Sequence, residues 1–599
     1  NKNFSGKLRK DKPMVTTPNY VRAASVKELK EAGLKAVTVK DRVVLLVHHE
    51  GQIFALDNRC PHMGFPLERG SVKRGLLTCH WHHARFELCS GGTFDIWADD
   101  VRSYPFEIQE GDIWVNPNPE RDEVAYQLGR LQSGLEQNIR LVLAKAVISL
   151  LDHDASPAEL LKVAGQFGSQ QRQAGWRDGL TILSAMANTL PYLSESDKSL
   201  ALFHGMLHVA NNVMGQTPHY ELEPLSTSDV SVARLKAWLR EFAEVRDRDG
   251  VERVLLTALK SGYGHADLAD MLFAAVTDHY FLDTGHSVDF INKAFEMLDQ
   301  MGWQEATTIL PSIVPALTDS ERMEETNSWQ NPVHLAELLE PVFSDLLAGK
   351  LGRVSQSVRL SAEAFDALTE TLLGSDPETI INALKQTLDS GVAFTQISLA
   401  LSFAAAKRVA RFHTSNEFGD WISVLHTFSS ANATHQLLKR APSLEGLRGV
   451  FHTAMHLYLN RFLNAPAARQ PSAKSVEGLN TNGETLLKDL LELTNARENV
   501  EKAAAVTYRY LEQGHDDARL IQTLAHSLLR EDGEFHSYQM LEAGIQLYQE
   551  LKAERPEHAP TVLVAVARYL AGHAPTDRAT TQTYRIASRL HAGEALAAD

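Results

Sequence analysis

The spacing of hydrophobic residues changes near residue 125. Between about residues 20 and 117, segments such as AVTVKDRVVLLVHHEGQIFALDN alternate apolar and polar positions, are rich in Val, and are separated by turn residues. This pattern is typical of short strands. Farther on, Leu, Ala, Glu and Gln recur at helical spacing, as in VEKAAAVTYRYLEQ. The sequence therefore predicts a small β domain followed by a long helical region.

The predicted fold class is multidomain α+β. We expect a small all-β domain over residues 15–120 and a large all-α domain built from two duplicated halves, 125–345 and 355–590. A chain of 599 residues is longer than one core usually organises. The segment LGRVSQSVRLSAEAF is predicted to join the two halves.

The duplication is inferred by sliding the helical region against itself. ALFHGMLHVANN at 201–212 resembles GVFHTAMHLYLN at 449–460, and TILPSIVPAL at 308–317 resembles TVLVAVARYL at 561–570. The matching histidines, taken pairwise, are His204 and His452, His208 and His456, His265 and His515, and His286 and His536. Leu/Ala-rich helices resemble one another in general, but an ordered series with matching histidines favours duplication.

Charge and hydropathy exclude two classes of partner. The net charge of −16 argues against nucleic acid as the main partner. The longest apolar stretch, NIRLVLAKAVISLL, contains Arg140 and Lys145, so it is not a membrane span. The N-terminal residues 1–13 are polar and offer no core for a secretory signal. We expect a cytoplasmic protein with neither a nucleic-acid nor a membrane partner.

The three cysteines, at positions 60, 79 and 89, lie close together in the predicted β domain. The motif is C-x-H, then sixteen residues, then C-x-x-H, formed by Cys60, His62, Cys79 and His82. Two thiolates and two imidazoles in two loops suit a cluster of two irons, in which the thiolates bind one iron and the imidazoles bind the other. Zinc sites use the same residue types, but they usually pair C-x₂₋₄-C with closer histidines.

This segment resembles the Rieske family over about residues 20–117. The resemblance implies a [2Fe–2S] cluster held by Cys60 and Cys79 on one iron and by His62 and His82 on the other. The respiratory branch of the family bridges the two cluster loops with a disulfide. Phe65 and Trp81 occupy those positions here, so the resemblance is to Rieske ferredoxins and to the Rieske domains of ring-hydroxylating oxygenases.

Four further residues have predicted roles near the cluster. Gly64 and Gly75 suit tight loop geometry, and Trp81 and Phe86 are expected to shield the cluster from water. The third cysteine, Cys89, lies beyond both ligand pairs, and we expect it to be a small buried residue beside the cluster loop.

The catalytic half of the ring-hydroxylating oxygenases is missing. That domain is mixed α/β and binds one iron through two His and a carboxylate. We find no Asp two or three residues before a His-x₄-His pair, and the helical region lacks the required strands.

The duplicated histidines are the second candidate metal site. His204 and His208, like His452 and His456, have i, i+4 spacing, which places both imidazoles on one helix face. Non-haem iron is the metal expected beside a Rieske cluster. The alternative is that duplication copied histidines that only line a core or bond helix ends. The predicted helical-domain ligands are His204, His208, His286, His452, His456 and His536.

The helical region, over about residues 190–540, also resembles the questin-oxidase-like proteins in FHGMLH, FHTAMH and its general helical character. These are all-helical non-haem iron enzymes that act on polyketide-type aromatic compounds. The resemblance implies iron bound largely by histidine, with a carboxylated lysine as a further ligand type. Lys407 in AAAKRVARFH is comparable to that lysine, although a structural or solvated role fits it as well.

Two functional hypotheses follow. In the first, the protein is an oxidoreductase in which the Rieske cluster passes electrons to a His-ligated non-haem iron for O₂-dependent oxidation of a small organic substrate. No G-x-G-x-x-G signature follows a strand, so a separate reductase would supply the electrons. In the second, the protein transfers electrons or senses redox state, and the helical domain is only a docking scaffold.

Overall fold

The chain contains a small N-terminal β domain followed by a large helical region, as the sequence predicts. A computed structural model describes residues 19–95, 97–226, 229–352, 357–594 and 596. The polar segment 1–13, the start of the domain expected at 15–120, and part of the expected join at 351–365 lie outside the described residues.

Nine strands form the β domain, and their bounds are β1 Val21–Ser25, β2 Leu34–Val39, β3 Arg42–His49, β4 Gln52–Asp57, β5 Ser71–Lys73, β6 Leu76–Thr78, β7 Arg85–Glu87, β8 Phe106–Gln109 and β9 Asp112–Val115. They make three antiparallel sheets of three strands, in the orders β1-β9-β8, β2-β3-β4 and β5-β6-β7. The alternating Val and Leu side chains of β3 are largely buried between neighbours. One loop with motif residues follows β4, and the other joins β6 to β7.

The α-helices are α1 Val26–Ala32, α2 Glu123–Gln137, α3 Arg140–Asp152, α4 Pro157–Gln170, α5 Asp178–Thr189, α6 Glu195–Val213, α7 Val232–Glu244, α8 Arg248–Lys260, α9 His265–Val276, α10 His286–Met301, α11 Ala306–Ile309, α12 Pro315–Thr318, α13 Asn327–Gln330, α14 Leu335–Leu347, α15 Ala362–Leu372, α16 Pro377–Asp389, α17 Phe394–Ala410, α18 Phe418–Arg440, α19 Leu447–Leu459, α20 Ala473–Val476, α21 Gly483–Leu493, α22 Val500–Glu512, α23 Asp517–Leu529, α24 Phe535–Glu554, α25 Ala559–His573 and α26 Ala579–His591.

The chain divides into two compact units, Asn1–Arg130 with Arg585–Asp599, and Leu131–Tyr584. The first unit therefore takes in the end of α26, which the sequence assigned to the second helical half. The Arg59 guanidinium donates a hydrogen bond to the Leu590 carbonyl within this unit. The expected halves 125–345 and 355–590 do not separate, because helices of one half pack against helices of the other.

Four helices form the centre of the helical unit. Helices α5 and α10 of the first half pack against α18 and α24 of the second half. Along α10 and α24 the contacts join residues about 250 positions apart, as in Asp289 with Gln539 and Glu296 with Gln546. The two helices are therefore parallel and in register. This is the arrangement that a duplicated domain with a twofold axis along these helices would have, and the duplication itself stays a prediction.

Among the described residues, none of the helices combines the length and apolar character needed to cross a lipid bilayer.

Gly91 is a position where the β domain tolerates no side chain. Its φ is +76°, and a Cβ would lie 1.8 Å from the Val101 carbonyl oxygen. Gly51 has a similar φ of +78° with nothing within 4 Å of such a Cβ. We expect Gly91→Ala to lower the free energy of unfolding of this unit by roughly 3 kcal/mol or more, and Gly51→Ala by about 1–2 kcal/mol.

Amide hydrogen exchange of the full chain measures both effects, because each 1.4 kcal/mol speeds exchange by global opening about tenfold. Equal loss of protection in the two variants would show that the Val101 carbonyl does not restrict this turn.

Candidate functional site

Two loops of the β domain bring the four motif residues together. The first loop follows β4. In this loop the Gly64 N–H donates a hydrogen bond to the Cys60 carbonyl, and the Cys60 N–H donates to the Phe65 carbonyl. Gly64 has a φ of +82°, so the expected tight turn requires glycine here. The second loop joins β6 to β7 and is closed by a hydrogen bond from the Cys79 N–H to the Ala84 carbonyl.

The donor set at these loops fits a two-iron cluster with mixed ligands. Cys60 and Cys79 are 2% and 1% exposed, and their sulfurs are close enough to share a hydrogen bond, which raises the pKa of Cys60 and lowers that of Cys79. The rings of His62 and His82 lie edge to face with centroids 4.8 Å apart. Two buried sulfurs and two neighbouring imidazoles match the ligand chemistry of a Rieske centre.

The neighbouring aromatic residues cover the site unequally. Phe86 is fully buried under the loops, as expected, whereas Trp81 is 37% exposed and packs beside His82. Trp97, for which the sequence predicted no role, packs edge to face against His62, with ring centroids 4.6 Å apart. His80, the other histidine within the C-x-x-H segment, instead bonds the Ser71 hydroxyl.

The expectation that Cys89 is buried is wrong. Cys89 is exposed in the turn after β7, where its N–H donates to the Glu87 carboxylate at 2.7 Å. The turn is held by backbone and carboxylate hydrogen bonds, which leave the thiol outside the core. The chain thus carries an accessible cysteine outside the motif.

A second concentration of metal-binding side chains lies in the helical unit. His286 begins α10, His426 lies on α18, and His536 lies in the first turn of α24. Each histidine offers one ring nitrogen, and these three nitrogens all lie within 4.8 Å of one another. The Nε2 atoms of His426 and His536 are 2.9 Å apart. We call these three residues the histidine triad.

Two kinds of interaction would place Nε2 of His426 and Nε2 of His536 2.9 Å apart. Two nitrogens each bound at about 2.1 Å to one metal ion lie about 3 Å apart when the angle between the bonds is near 90°. A hydrogen bond between two neutral imidazoles gives the same separation. The third ring, His286, at 4.4 Å from the centroid of His426, favours a shared ion, since a single proton needs only two partners.

The surroundings keep two rings of the triad, His286 and His426, neutral. Burial, with smaller contributions from His536 and Arg177, lowers the pKa of His286 to about 3, and burial and the neighbouring histidines hold the pKa of His426 well below its usual range. Metal ions bind imidazole in this neutral form.

The carboxylate of Glu534 hydrogen-bonds Nδ1 of His536 at 2.8 Å. Burial alone would raise the pKa of Glu534, but hydrogen bonds from His536 and Ser537 help lower it to about 2, so the group is ionised. A carboxylate on the far nitrogen fixes the tautomer and the ring orientation of a metal-binding histidine.

The segment before His286 has an unusual backbone. Phe281, Asp283 and Thr284 have φ values of 50°, 49° and 55°, followed by Gly285 at 94°. Non-glycine residues in this region cost about 1 kcal/mol or more each and cluster at functional sites. At Gly285 a Cβ would lie 2.9 Å from Phe281 and from Ser430, so this turn sets the start of α10 and thereby the position of His286.

A small cavity lies along the same turn. Its volume is about 20 Å³, room for about one water molecule, and its lining includes Phe281, Gly285, Val288, Ser430, Thr434 and His452. The walls are mostly apolar. Because Gly285 directly precedes His286 and Ser430 lies one helical turn after His426, the cavity is next to the triad.

The structure brings only two of the six predicted helical-domain histidines, His286 and His536, into the triad. Both nitrogens of His204 are used within the protein, by the Tyr538 hydroxyl and the Leu529 carbonyl. His208 packs edge-on against Tyr538.

His452 and His456, the counterparts in the second half, lie near the triad without belonging to it. His456 hydrogen-bonds the Thr427 hydroxyl through Nδ1 and stacks on Phe281, and it is close enough to His426 to lower the pKa of that residue. His452 lines the cavity, and its Nε2 is buried without a hydrogen-bond partner. Lys407 pairs with Glu370, which is a structural role.

His426 is the triad residue that sequence reasoning missed. The duplication offset of 248 to 250 residues places Trp176 to Asp178 opposite it, where there is no histidine. His426 is thus absent from the repeated pattern that identified the others, and only the packing of α18 against α10 and α24 brings it to the site.

Comparison with known proteins identifies the β domain. The model of the Rieske [2Fe–2S] domain family matches residues 19–105. Apoptosis-inducing factor 3 of Mus musculus is 29% identical over 172 residues, which are 28% of this chain and 26% of that protein. The chain thus spans about a quarter of the length of this relative. Residues 19–105 are a Rieske domain, which implies a [2Fe–2S] cluster.

Ferredoxins of oxygenase systems are similar over nearly their whole length. The ferredoxin component of the naphthalene 1,2-dioxygenase/salicylate 5-hydroxylase systems of Ralstonia sp is 29% identical over 94 residues, 16% of this chain and 90% of that protein. The solved ferredoxin of carbazole 1,9a-dioxygenase from Nocardioides aromaticivorans IC177 is 25% identical, with a TM-score of 0.16 over 17% of this chain and 99% of the ferredoxin. By sequence, the Rieske domain is homologous to ferredoxin components of oxygenase systems.

The cysteines provide a matched test of the cluster ligands. We expect Cys60→Ser and Cys79→Ser to lose the visible and paramagnetic signature of the cluster and two irons per chain, because no other thiolate reaches the site. Cys89→Ser is the control and should keep both irons, since Cys89 is exposed outside the two loops. Retention of the signature in Cys79→Ser, or its loss in Cys89→Ser, would contradict the assignment.

Proposed function

We propose that this chain, whose residues 19–105 form a Rieske [2Fe–2S] domain, is an oxidoreductase that uses single electrons at a non-haem iron in its helical unit. The reaction would be the O₂-dependent oxidation of a small organic substrate. The observation that carries the proposal is the meeting of His286, His426 and His536 from three helices in a chain that also holds a one-electron carrier.

The Rieske part of the proposal assigns Cys60 and Cys79 to one iron and His62 and His82 to the other. The cluster, when bound, supplies one-electron transfer. The chain's own contribution is to bury the two sulfurs while leaving His82 and Trp81 at the surface. An exposed imidazole edge is where a separate reductase would deliver electrons.

The helical part of the proposal assigns the triad as a three-imidazole metal site. Sites made of imidazole without thiolate suit iron, copper or zinc. Iron is favoured because zinc has no redox chemistry and a Rieske domain has no electron to give it. Glu534 would hold His536 in the binding tautomer, and the turn at Gly285 would hold His286 in place.

The cavity beside the triad has room for about one water molecule, and its mostly apolar wall would favour an apolar part of a substrate on that side of the triad. Its lining of Phe281, Val288 and small side chains has few polar groups, so it excludes water from one side of the site. The buried Nε2 of His452 is the one polar ring atom of this lining with no partner among the described residues, and it is suited to orient a substrate carbonyl or hydroxyl group.

Iron content distinguishes this proposal from a docking scaffold. We expect about three irons per chain in the wild type and about two in His426→Ala, with the Rieske signature unchanged, because removing one of three ligands weakens binding beyond recovery. Turnover with O₂ should be lost in parallel. Metal analysis of folded, full-length protein measures this.

The matched control is His435→Ala on the same helix. His435 is buried, but its two nitrogens are occupied by Ser398 and Glu550, so it is not available to a metal. Its replacement should cost about 1–3 kcal/mol of stability without loss of iron. Two irons per chain in the wild type, unchanged in His426→Ala, would replace the oxygenase proposal with the electron-transfer or redox-sensing scaffold.

A further inference from the structure

A buried column of charged and amide side chains runs along α10 and α24, starting one helical turn beyond the triad. Its members face each other across the two parallel helices, and α5 and α18 contribute further amides. From the triad end to the outer end, they are Asp289 with Gln539, Lys293 with Glu542, Glu296 with Gln546, and then Asn188 with Gln300.

The hydrogen bonds of the column are dense and direct. The Lys293 ammonium, 1% exposed, donates to Glu296 at 2.7 Å and to Glu542 at 2.6 Å. Asn188 from α5 donates to the same two carboxylates at 2.8 and 2.9 Å. At the outer end, the exposed Gln300 donates to the Asn188 carbonyl oxygen at 2.8 Å. Hydrogen bonds therefore connect the exposed Gln300 with Glu296, Glu542 and Lys293, and Asp289 lies one helical turn before Lys293 on the same face of α10.

The charges in the column do not balance if all its groups are ionised. Three carboxyl groups, Asp289, Glu296 and Glu542, share one cation, Lys293, in a region almost without exposure. An unpaired carboxylate in such a place is far less stable than its protonated form. The charged groups that act on Asp289 are Lys293, Glu542 and Glu296. The column side chains from α5 and α18, Asn188 and Asn432, are uncharged amides that bond Glu542 and Gln546.

Asp289 is the member best placed to hold the extra proton. Burial, with the charges of Glu542 and Glu296, raises its pKa to about 8 in spite of Lys293. Burial likewise raises the pKa of Glu542. A second observation is independent of titration: Oε1 of Gln539, whose other amide atom contacts Asp289, is buried with no partner. Rotation of that amide would let it accept a hydrogen bond from a protonated Asp289.

We propose that Asp289, Lys293, Glu296 and Glu542 form a proton relay that carries protons from solvent at Gln300 to the pocket at His286 and His536. The relay rests on the proposed function. Inserting one oxygen atom of O₂ into a C–H bond consumes two electrons and two protons and releases one water, and these protons must reach a buried site.

Each step of the relay is a proton transfer only. The carboxyl of Asp289 gives up its proton toward the pocket, and the carboxyl pair Glu296 and Glu542 restores it. That pair regains a proton from water at the outer end. One O–H bond breaks and one forms at each step, and nothing in the column is oxidised. Lys293 stays charged and acts as a positioning residue for the two glutamates.

Infrared spectroscopy of the full-length protein tests whether the proton is there. At pH 6 the wild type should show the C=O stretch of a protonated buried carboxyl, which shifts in D₂O and declines as the pH rises through about 8. Asp289→Asn should remove the component of this band that declines near pH 8. Glu305→Gln is the control, because Glu305 is also largely buried but is bonded to Lys162, which lowers its pKa. A spectrum unchanged by Asp289→Asn would overturn the proposal.

Thermal stability gives a second readout that does not need iron. A folded-state pKa raised from about 4 to about 8 means that the folded chain holds a proton that the unfolded chain releases in this range. Stability is therefore fully present at the lower pH and is lost as the pH rises toward 8. The melting temperature of Asp289→Asn should lack this decline relative to wild type. Parallel curves for the two proteins would count against a proton on Asp289.

Turnover separates a relay from a static network. With iron content and Rieske reduction unchanged, Asp289→Asn should slow substrate oxidation about 100-fold and increase the solvent isotope effect. Wild-type rates in this variant would overturn the relay. A wild type that binds no third iron would instead defeat the proposed function, and the infrared band would then still report whether the column holds a proton.

Discussion

The parallel, in-register packing of α10 against α24 is the constraint on which the helical unit depends. It places residues about 250 positions apart side by side, so that His286 meets His536 and Asp289 meets Gln539. Polar groups that face each other at the centre of such a helix pair are costly unless they are hydrogen-bonded. Asp289 of one half is hydrogen-bonded to Gln539 of the other half, and the Lys293 ammonium donates hydrogen bonds to Glu296 and Glu542.

The same arrangement explains why three histidines meet at the end of this helix pair. Helix α10 begins abruptly after a turn of left-handed residues, and α24 begins after Glu534, so both helices present a histidine in their first turn. No earlier helical turn lies beside the side chains in the first turn of a helix, so these side chains can reach the neighbouring helices. Helix α18 crosses both and adds His426. In the β domain, by contrast, the four motif residues are placed by two short loops held by backbone hydrogen bonds.

The sequence predicted the β domain well because its ligands are local. Cys60 with His62 and Cys79 with His82 are near neighbours in sequence, and their spacing is specific to one kind of cluster. The burial of Cys89 was predicted wrongly because its position depends on a turn, which spacing does not report. In the helical unit, the i, i+4 spacing of His204 and His208 indicated a shared face, but a shared face does not reveal that Tyr538 and Leu529 occupy the nitrogens of His204. His426 has no repeated counterpart, so only tertiary packing identifies it.

The central claim is that iron occupies the histidine triad as well as the Rieske loops. Anomalous diffraction from crystals of the full-length protein, measured just above and just below the iron absorption edge, tests it most directly. We expect one signal at Cys60, His62, Cys79 and His82 and a second, separate signal between His286, His426 and His536. Both signals should vanish below the edge. A signal at the Rieske loops alone, or a triad signal that persists below the iron edge, would contradict it.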